Sequence, residues 1–246
     1  MLIAKRNPLF AARTLSLRGA NYKYQVFAPG DWSASRKWPV ILFLHGAGER
    51  GSDGQRQTRE GIGDAIQRDH ARFPAIVVLP QCSKDNWWSA PSMEEFALAA
   101  LDAATEEFSG DCRRTYLTGL SMGGYGAWDI AAKNPHRFAA LVPICGGIVT
   151  PASLQNKYPE LRKAAYADVP TSYAGIAAKI GKTPVWIFHG AKDTVVPPDN
   201  SRKMFTALQE AGGDVRYTEY PRVGHASWKK AYADPELTAW LFSKSL

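Results

Sequence analysis

Cysteine is scarce: Cys82, Cys112 and Cys145 are the only three in 246 residues. They are too few and too widely spaced for a disulfide scaffold or a zinc site, so buried free thiols are the expected state. No apolar run is long enough to span a bilayer. The opening MLIAKRNPLFAARTLSL carries early positive charge but neither an apolar h-region nor a small-residue cleavage site. As written, the chain reads as cytoplasmic, with secretion or a periplasmic home left open if a signal has been removed. No long biased tract, internal repeat or dividing linker appears, so residues 1–246 are expected to form a single domain. The formal net charge is +7, yet the basic residues are scattered, the densest groupings being pairs such as Arg113-Arg114 and Lys229-Lys230. That pattern describes a solvated, mildly basic surface rather than a nucleic-acid or membrane site.

What the chain does contain is enough apolar material for a sizeable core, 45% hydrophobic and 11% aromatic. The early segments TLSLRG and YKYQVFAPG alternate as half-exposed strands do. After them come short, nearly continuous apolar runs: PVILFL (39–44), AIVVLP (75–80), RRTYLTG (113–119), AALVPIC (139–145) and PVWIFHG (184–190). Such runs suit strands buried on both faces of a parallel sheet. Helical spacing lies between them, over 92–108 and again from Asn200 to Ala211, where Gly212-Gly213 supplies the stop. Strand–helix alternation of this kind predicts an α/β fold with a mostly parallel central sheet flanked by helices. Residues 147–180 interrupt the rhythm and are expected to form a small cap.

In a parallel sheet the functional groups sit on loops that follow strand C-termini. After RRTYLTG the chain reads Gly119-Leu120-Ser121-Met122-Gly123, a G-x-S-x-G nucleophile elbow in which a strand turns sharply into a helix. A serine hydroxyl is a poor nucleophile near neutral pH and needs a base. Of the five histidines, His70 lies in a polar stretch, His136 follows Asn134-Pro135 at a helix end, and His189 sits inside a strand run as a satisfied core ring. His225, in the loop YPRVGHASW after the last strand-like run, is the candidate base. The base needs an acid to hold its tautomer, and Asp193 lies on the loop after PVWIFHG. Asp199 competes, but after two prolines it suits the N-cap of the following helix better. The order Ser121, Asp193, His225 is that of α/β-hydrolases. An oxyanion hole would draw on the backbone N–H of Met122 and, from the loop HGAGERGSDG, that of Ala47, with Gly48 as the alternative. His45 in that loop reads as a structural ring that bonds the loop's own backbone.

The segments LFLHGAGERG, LPQC with Trp87-Trp88, YLTGLSMGGYGAW, PICGG, FHGAKDTVVP and VGHASW resemble the α/β-hydrolase superfamily. More narrowly they resemble bacterial esterases labelled predicted peptidases or phospholipase/carboxylesterase-like proteins, akin to feruloyl-esterase and polyhydroxybutyrate-depolymerase-like groups. The resemblance runs from about residue 20 to the C-terminus. It implies a metal-free, cofactor-free serine hydrolase acting on carboxylic esters, with Ser121, Asp193 and His225 at the triad positions and Ala47 and Met122 at the oxyanion positions. Some relatives carry a secretion signal and an extra N-terminal β-domain, which this sequence does not show.

Trp87 and Trp88, just after the AIVVLP strand, and Trp228, three residues past His225, are candidates for stacking on a sugar or an aryl acyl group. Without a long apolar lid, short-chain or aryl esters, including esterified saccharides, suit the chain better than lipid interfaces. A peptidase with the same triad is the alternative. A non-catalytic ligand-binding member of the fold is a third, against which an intact triad argues.

Overall fold

The computed structural model describes residues 9–148 and 172–246. Eight strands form one sheet: β1 (Phe10–Leu17), β2 (Ala20–Phe27), β3 (Trp38–Leu44), β4 (Ile76–Pro80), β5 (Gly110–Leu120), β6 (Ala140–Ile144), β7 (Val185–Gly190) and β8 (Val215–Tyr220). Their order across the sheet is β1-β2-β4-β3-β5-β6-β7-β8. Only β1 and β2 run antiparallel to their neighbours, and every pairing from β4 to β8 is parallel. The expected mostly parallel sheet is therefore what the chain forms. The alternating N-terminal segments are the antiparallel edge, and the continuous apolar runs are the centre.

The central runs have no solvated face. Every residue of β3, β4, β6 and β7 is buried, and separate apolar clusters fill the two sides of the sheet. Each large side chain fully buried in this way contributes about 1.5–3 kcal/mol. The covering helices are α1 (Ile62–Arg68), α2 (Pro91–Glu107), α3 (Met122–Lys133), α4 (Tyr173–Ile180), α5 (Asp199–Glu210), α6 (Trp228–Ala231) and α7 (Pro235–Phe242). The helix expected over 92–108 begins one residue earlier because Pro91 occupies the first turn, where its missing N–H costs nothing. The helix expected from Asn200 starts at Asp199, with Pro198 at the cap. Asp199 is thus inside the first turn and pairs with Lys203 rather than capping.

The cap expected around 147–180 lies largely outside the described residues; of it, the structure describes 147–148 and the stretch that includes α4. There the Ser172 side chain accepts the Gly175 N–H as an N-cap. Two of the three cysteines are buried free thiols, but Cys112 is exposed. It falls in the first turn-ward part of β5, ahead of the apolar half of that strand. No helix among the described residues is long and apolar enough to cross a membrane.

Candidate active site

The elbow is built by steric necessity. β5 ends at Leu120 and α3 begins at Met122, so one residue must reverse the chain. That residue is Ser121, held at φ 52° and ψ −116°, a region that costs a non-glycine residue about 1–3 kcal/mol. The strand end and helix start cross so closely that a Cβ on Gly119 would lie 2.2 Å from the Gly123 carbonyl oxygen. One on Gly123 would lie 1.9 Å from the carbonyl oxygen of Leu44. The two glycines of the motif are what permits the crossing. Ser121 N–H donates to Ile144 O at 2.9 Å, which ties the elbow to the end of β6.

Asp193 and His225 reach Ser121 from the loops after β7 and β8. These loops are joined by Lys192 N–H donating to Val223 O at 2.9 Å. His225 Nδ1 lies 2.7 Å from Asp193 Oδ2, and His225 Nε2 lies 2.9 Å from Ser121 Oγ. A carboxylate only accepts, so Nδ1 carries the proton and Nε2 is left to accept from the serine hydroxyl. The three sequence-predicted residues thus form one hydrogen-bonded relay.

The Asp193 side chain is fully buried. Burial alone would push its carboxyl up, but hydrogen bonds from His189 and His225 and from the Val196 N–H outweigh that and hold it well below the usual carboxylate range. Oδ1 accepts the N–H groups of Val195 and Val196, each at 2.9 Å. Oδ2 also meets His189 Nε2 at 3.2 Å. His189 is the satisfied core ring expected of it, with Nδ1 on Ser201 Oγ at 2.7 Å and Nε2 also on Val196 O at 3.0 Å. Its contact with the acid was not anticipated from the sequence. Two histidine rings converge on one carboxylate oxygen, and only one of them faces the serine.

Ala47 opens a short 3-10 turn (Ala47–Glu49) after β3, while Met122 opens α3. Their N–H groups donate to no other group among the described residues. Both residues line the same cavity of about 290 Å³ as Ser121 and His225. The N-terminal end of α3 adds a partial positive charge where negative charge would develop. His45 sits beneath this turn with Nδ1 on Gly46 O at 2.6 Å, and its Nε2 accepts the Cys82 N–H at 3.0 Å. Burial lowers its pKa to about 4, so it is a neutral structural ring, as expected.

Of the three tryptophans, Trp87 and Trp228 line the cavity. Trp228 stands perpendicular to the His225 ring at 5.4 Å, with its Nε1–H on Glu60 Oε2 at 3.0 Å. Trp88 is not among the residues that line this cavity. It is wholly buried, donates Nε1–H to His45 O at 3.0 Å, and packs edge-on against the His45 ring. It is a strut under the loop that carries Ala47. Cys145 Sγ, an Asp193 oxygen and a His225 nitrogen lie within 4.8 Å of one another, as a metal site would require. The aspartate and histidine are already committed to each other, however, and burial pushes the Cys145 thiol up to about 12. A thiol so reluctant to ionise is a poor metal ligand.

The sheet order and the elbow at the end of β5 define an α/β-hydrolase. Within that class, the chain belongs to the prolyl oligopeptidase family, whose sequence profile matches residues 88–243. A probable feruloyl esterase C of Aspergillus niger is 23% identical over 235 residues, covering 92% of this chain and 74% of that protein. An uncharacterized secreted protein of Arthroderma benhamiae is 26% identical over 242 residues, and the chain spans only 25% of its length. Among solved structures, a thermostable esterase superposes with a TM-score of 0.79 at 33% identity, covering 97% of this chain and 64% of that one.

Proposed function

We propose that this chain is a serine carboxylic ester hydrolase that works through an acyl-enzyme on short-chain or aryl esters. The observation that carries the reading is the relay from Ser121 Oγ through His225 to Asp193, opening into a cavity walled by the free N–H groups of Ala47 and Met122. In the cycle, His225 Nε2 takes the Ser121 proton as Oγ attacks the ester carbonyl, and buried Asp193 stabilises the cationic ring. The Ala47 and Met122 N–H groups bind the oxyanion of the tetrahedral intermediate. As that intermediate collapses, the carbon–oxygen bond to the alcohol breaks and His225 returns the proton to the departing alcohol. Water then attacks the acyl-enzyme by the same route, releasing the acid and restoring Ser121. The cavity of about 290 Å³ and the aromatic walls of Trp87 and Trp228 favour a small or flat acyl group over a long aliphatic chain. Residues 1–246 act in this reading as one catalytic domain, a view supported by the single sheet that carries all three relay residues.

The experiment is hydrolysis of p-nitrophenyl esters from acetate to decanoate, and of methyl ferulate, by wild type and Ser121→Ala side by side. Wild type should favour the short and aryl members, and the variant should lose on the order of 10⁴–10⁶ in kcat. A folded Ser121→Ala protein as active as wild type would sink the assignment. The family match favours one second reading, a peptidase with the same relay. A p-nitroanilide and a p-nitrophenyl ester of the same acyl group separate the two, because a peptidase must cleave the poorer amide leaving group at a comparable kcat/KM.

A further inference from the structure

Glu49 plays no part in the relay, yet it faces the same cavity. It is the last residue of the turn that presents the Ala47 N–H, and its backbone is tied down on both sides. Its N–H donates to Gly46 O at 3.3 Å, and its carbonyl accepts Gln81 Nε2–H at 3.0 Å. The carboxyl lies over Gly46, where an added Cβ would come 3.1 Å from Glu49 Oε2. Among the described residues this carboxyl makes no ion pair and no hydrogen bond to another side chain. The adjacent Arg50 gives donors to the carbonyls of Ala47 and Asn86 instead. The charged group that acts on Glu49 is another acid, Glu60, which holds the Trp228 indole. Burial first, and Glu60 second, push the Glu49 carboxyl up to about 7.

The backbone N–H groups of Gly46 and Glu49 act on this carboxyl, but a carboxylate offers about four lone-pair sites, so a half-buried one with no side-chain donor keeps unmet hydrogen-bonding capacity. Glu60, an acid like Glu49, repels it rather than pairing with it. The capacity left over falls to whatever fills the cavity that Glu49 lines, and the anchored backbone holds Glu49 at that wall before anything binds.

We propose that Glu49 is a specificity-determining residue that accepts a hydrogen bond from a hydroxyl group of the substrate, so that the favoured esters carry a free hydroxyl on the acyl or the alcohol part. This rests on the ester-hydrolase reading above and narrows it to hydroxylated esters, a class that includes phenolic acyl groups and partly acylated polyols. A substrate whose hydroxyl is capped by methyl buries the same surface but gives Glu49 no hydroxyl donor. Sites built to bond a hydroxyl reject such analogues far more strongly than apolar pockets reject a change of size. For a carboxyl that keeps some contact with solvent, the discrimination expected is about 10- to 100-fold in kcat/KM.

The test measures kcat/KM on two matched pairs, methyl ferulate against methyl 3,4-dimethoxycinnamate, and glycerol monoacetate against 2,3-dimethoxypropyl acetate. Wild type, Glu49→Leu and Glu49→Gln are compared. Wild type should prefer the free hydroxyl in at least one pair. Leucine should bring that ratio close to one, chiefly through KM, while glutamine, an uncharged acceptor of the same size, should keep a reduced preference. A wild-type ratio near one in both pairs overturns the inference, as does a preference unchanged in glutamine and in whichever variants fold. Those outcomes leave the ester-hydrolase reading standing. If wild type hydrolyses none of the four esters, that reading falls and takes this one with it.

Discussion

Replacing Asp193 by asparagine changes one atom and should disable the site through proton placement alone. Oδ1 is fixed by two N–H donors, from Val195 and Val196, so the amide oxygen must stay there. The NH2 group then takes the place of Oδ2, 2.7 Å from His225 Nδ1. Two donors cannot face each other, so His225 must move its proton to Nε2 and present a lone pair at Nδ1. Nε2–H now points at Ser121 Oγ, and the hydroxyl has lost its acceptor. The same NH2 meets His189 Nε2, whose proton already serves Val196 O, so no neighbour restores the original tautomer. A wrong tautomer in an otherwise intact relay lowers kcat by about 10⁴, or ~5.4 kcal/mol at 1.36 kcal/mol per tenfold. The assay is kcat and KM for p-nitrophenyl acetate, with circular dichroism to confirm the fold. Asp199→Asn, on the exposed helix end, serves as the matched control and should stay near wild type. A folded Asp193→Asn protein within tenfold of wild-type kcat would refute the tautomer argument.

Three further outcomes follow from the packing and the charges. Gly123→Ala drives a Cβ to 1.9 Å from the Leu44 carbonyl oxygen, whereas Gly48→Ala meets nothing within 4 Å. The first should cost more than about 4 kcal/mol or prevent folding, and the second should stay within about 0.5 kcal/mol in urea unfolding; equal effects would contradict the elbow geometry. Trp88→Phe leaves the His45 carbonyl without its donor and should destabilise by about 1–3 kcal/mol, seen as a lower melting temperature. Glu49, raised to about 7, binds its proton more tightly folded than unfolded, so its contribution to stability is present below pH 4.5 and is lost as pH rises toward 7. After discounting for solvent screening, Glu49→Gln should be more stable than wild type by about 1–2 kcal/mol at pH 8 and nearly equal at pH 4.5. A pH-independent difference would show that the carboxyl is not under strain.

Much of this arrangement was legible because its signals are local. A run such as PVILFL, short, continuous and partly β-branched, suits a strand buried on both faces, and G-x-S-x-G encodes its own turn. Asp193 and His225 could be named because they sit on loops after strands, where a parallel sheet collects its polar groups. What escaped depends on tertiary placement. Trp87 and Trp88 are adjacent and chemically identical, yet one borders the cavity and the other lies under His45. The bond between His189 and Asp193 needs the β7 loop to curl back over its own strand. Nothing local marks Glu49, because Glu60, eleven positions on, acts on it only in the folded chain. Asp199 yielded the cap position to Pro198, whose fixed φ near −60° suits a helix start.

The three relay residues come from the ends of β5, β7 and β8, and β8 is an edge strand with no fully buried residue. The base therefore hangs from an edge of the sheet, while the nucleophile is anchored near its centre. Fraying at that edge would withdraw the imidazole while the interior stayed packed. Hydrogen exchange in β8 should then track thermal inactivation at temperatures where β3 and β5 remain protected. Turnover is accordingly a sensitive gauge of one margin of the fold, and heat-inactivated protein should regain it on cooling by re-zipping a single strand.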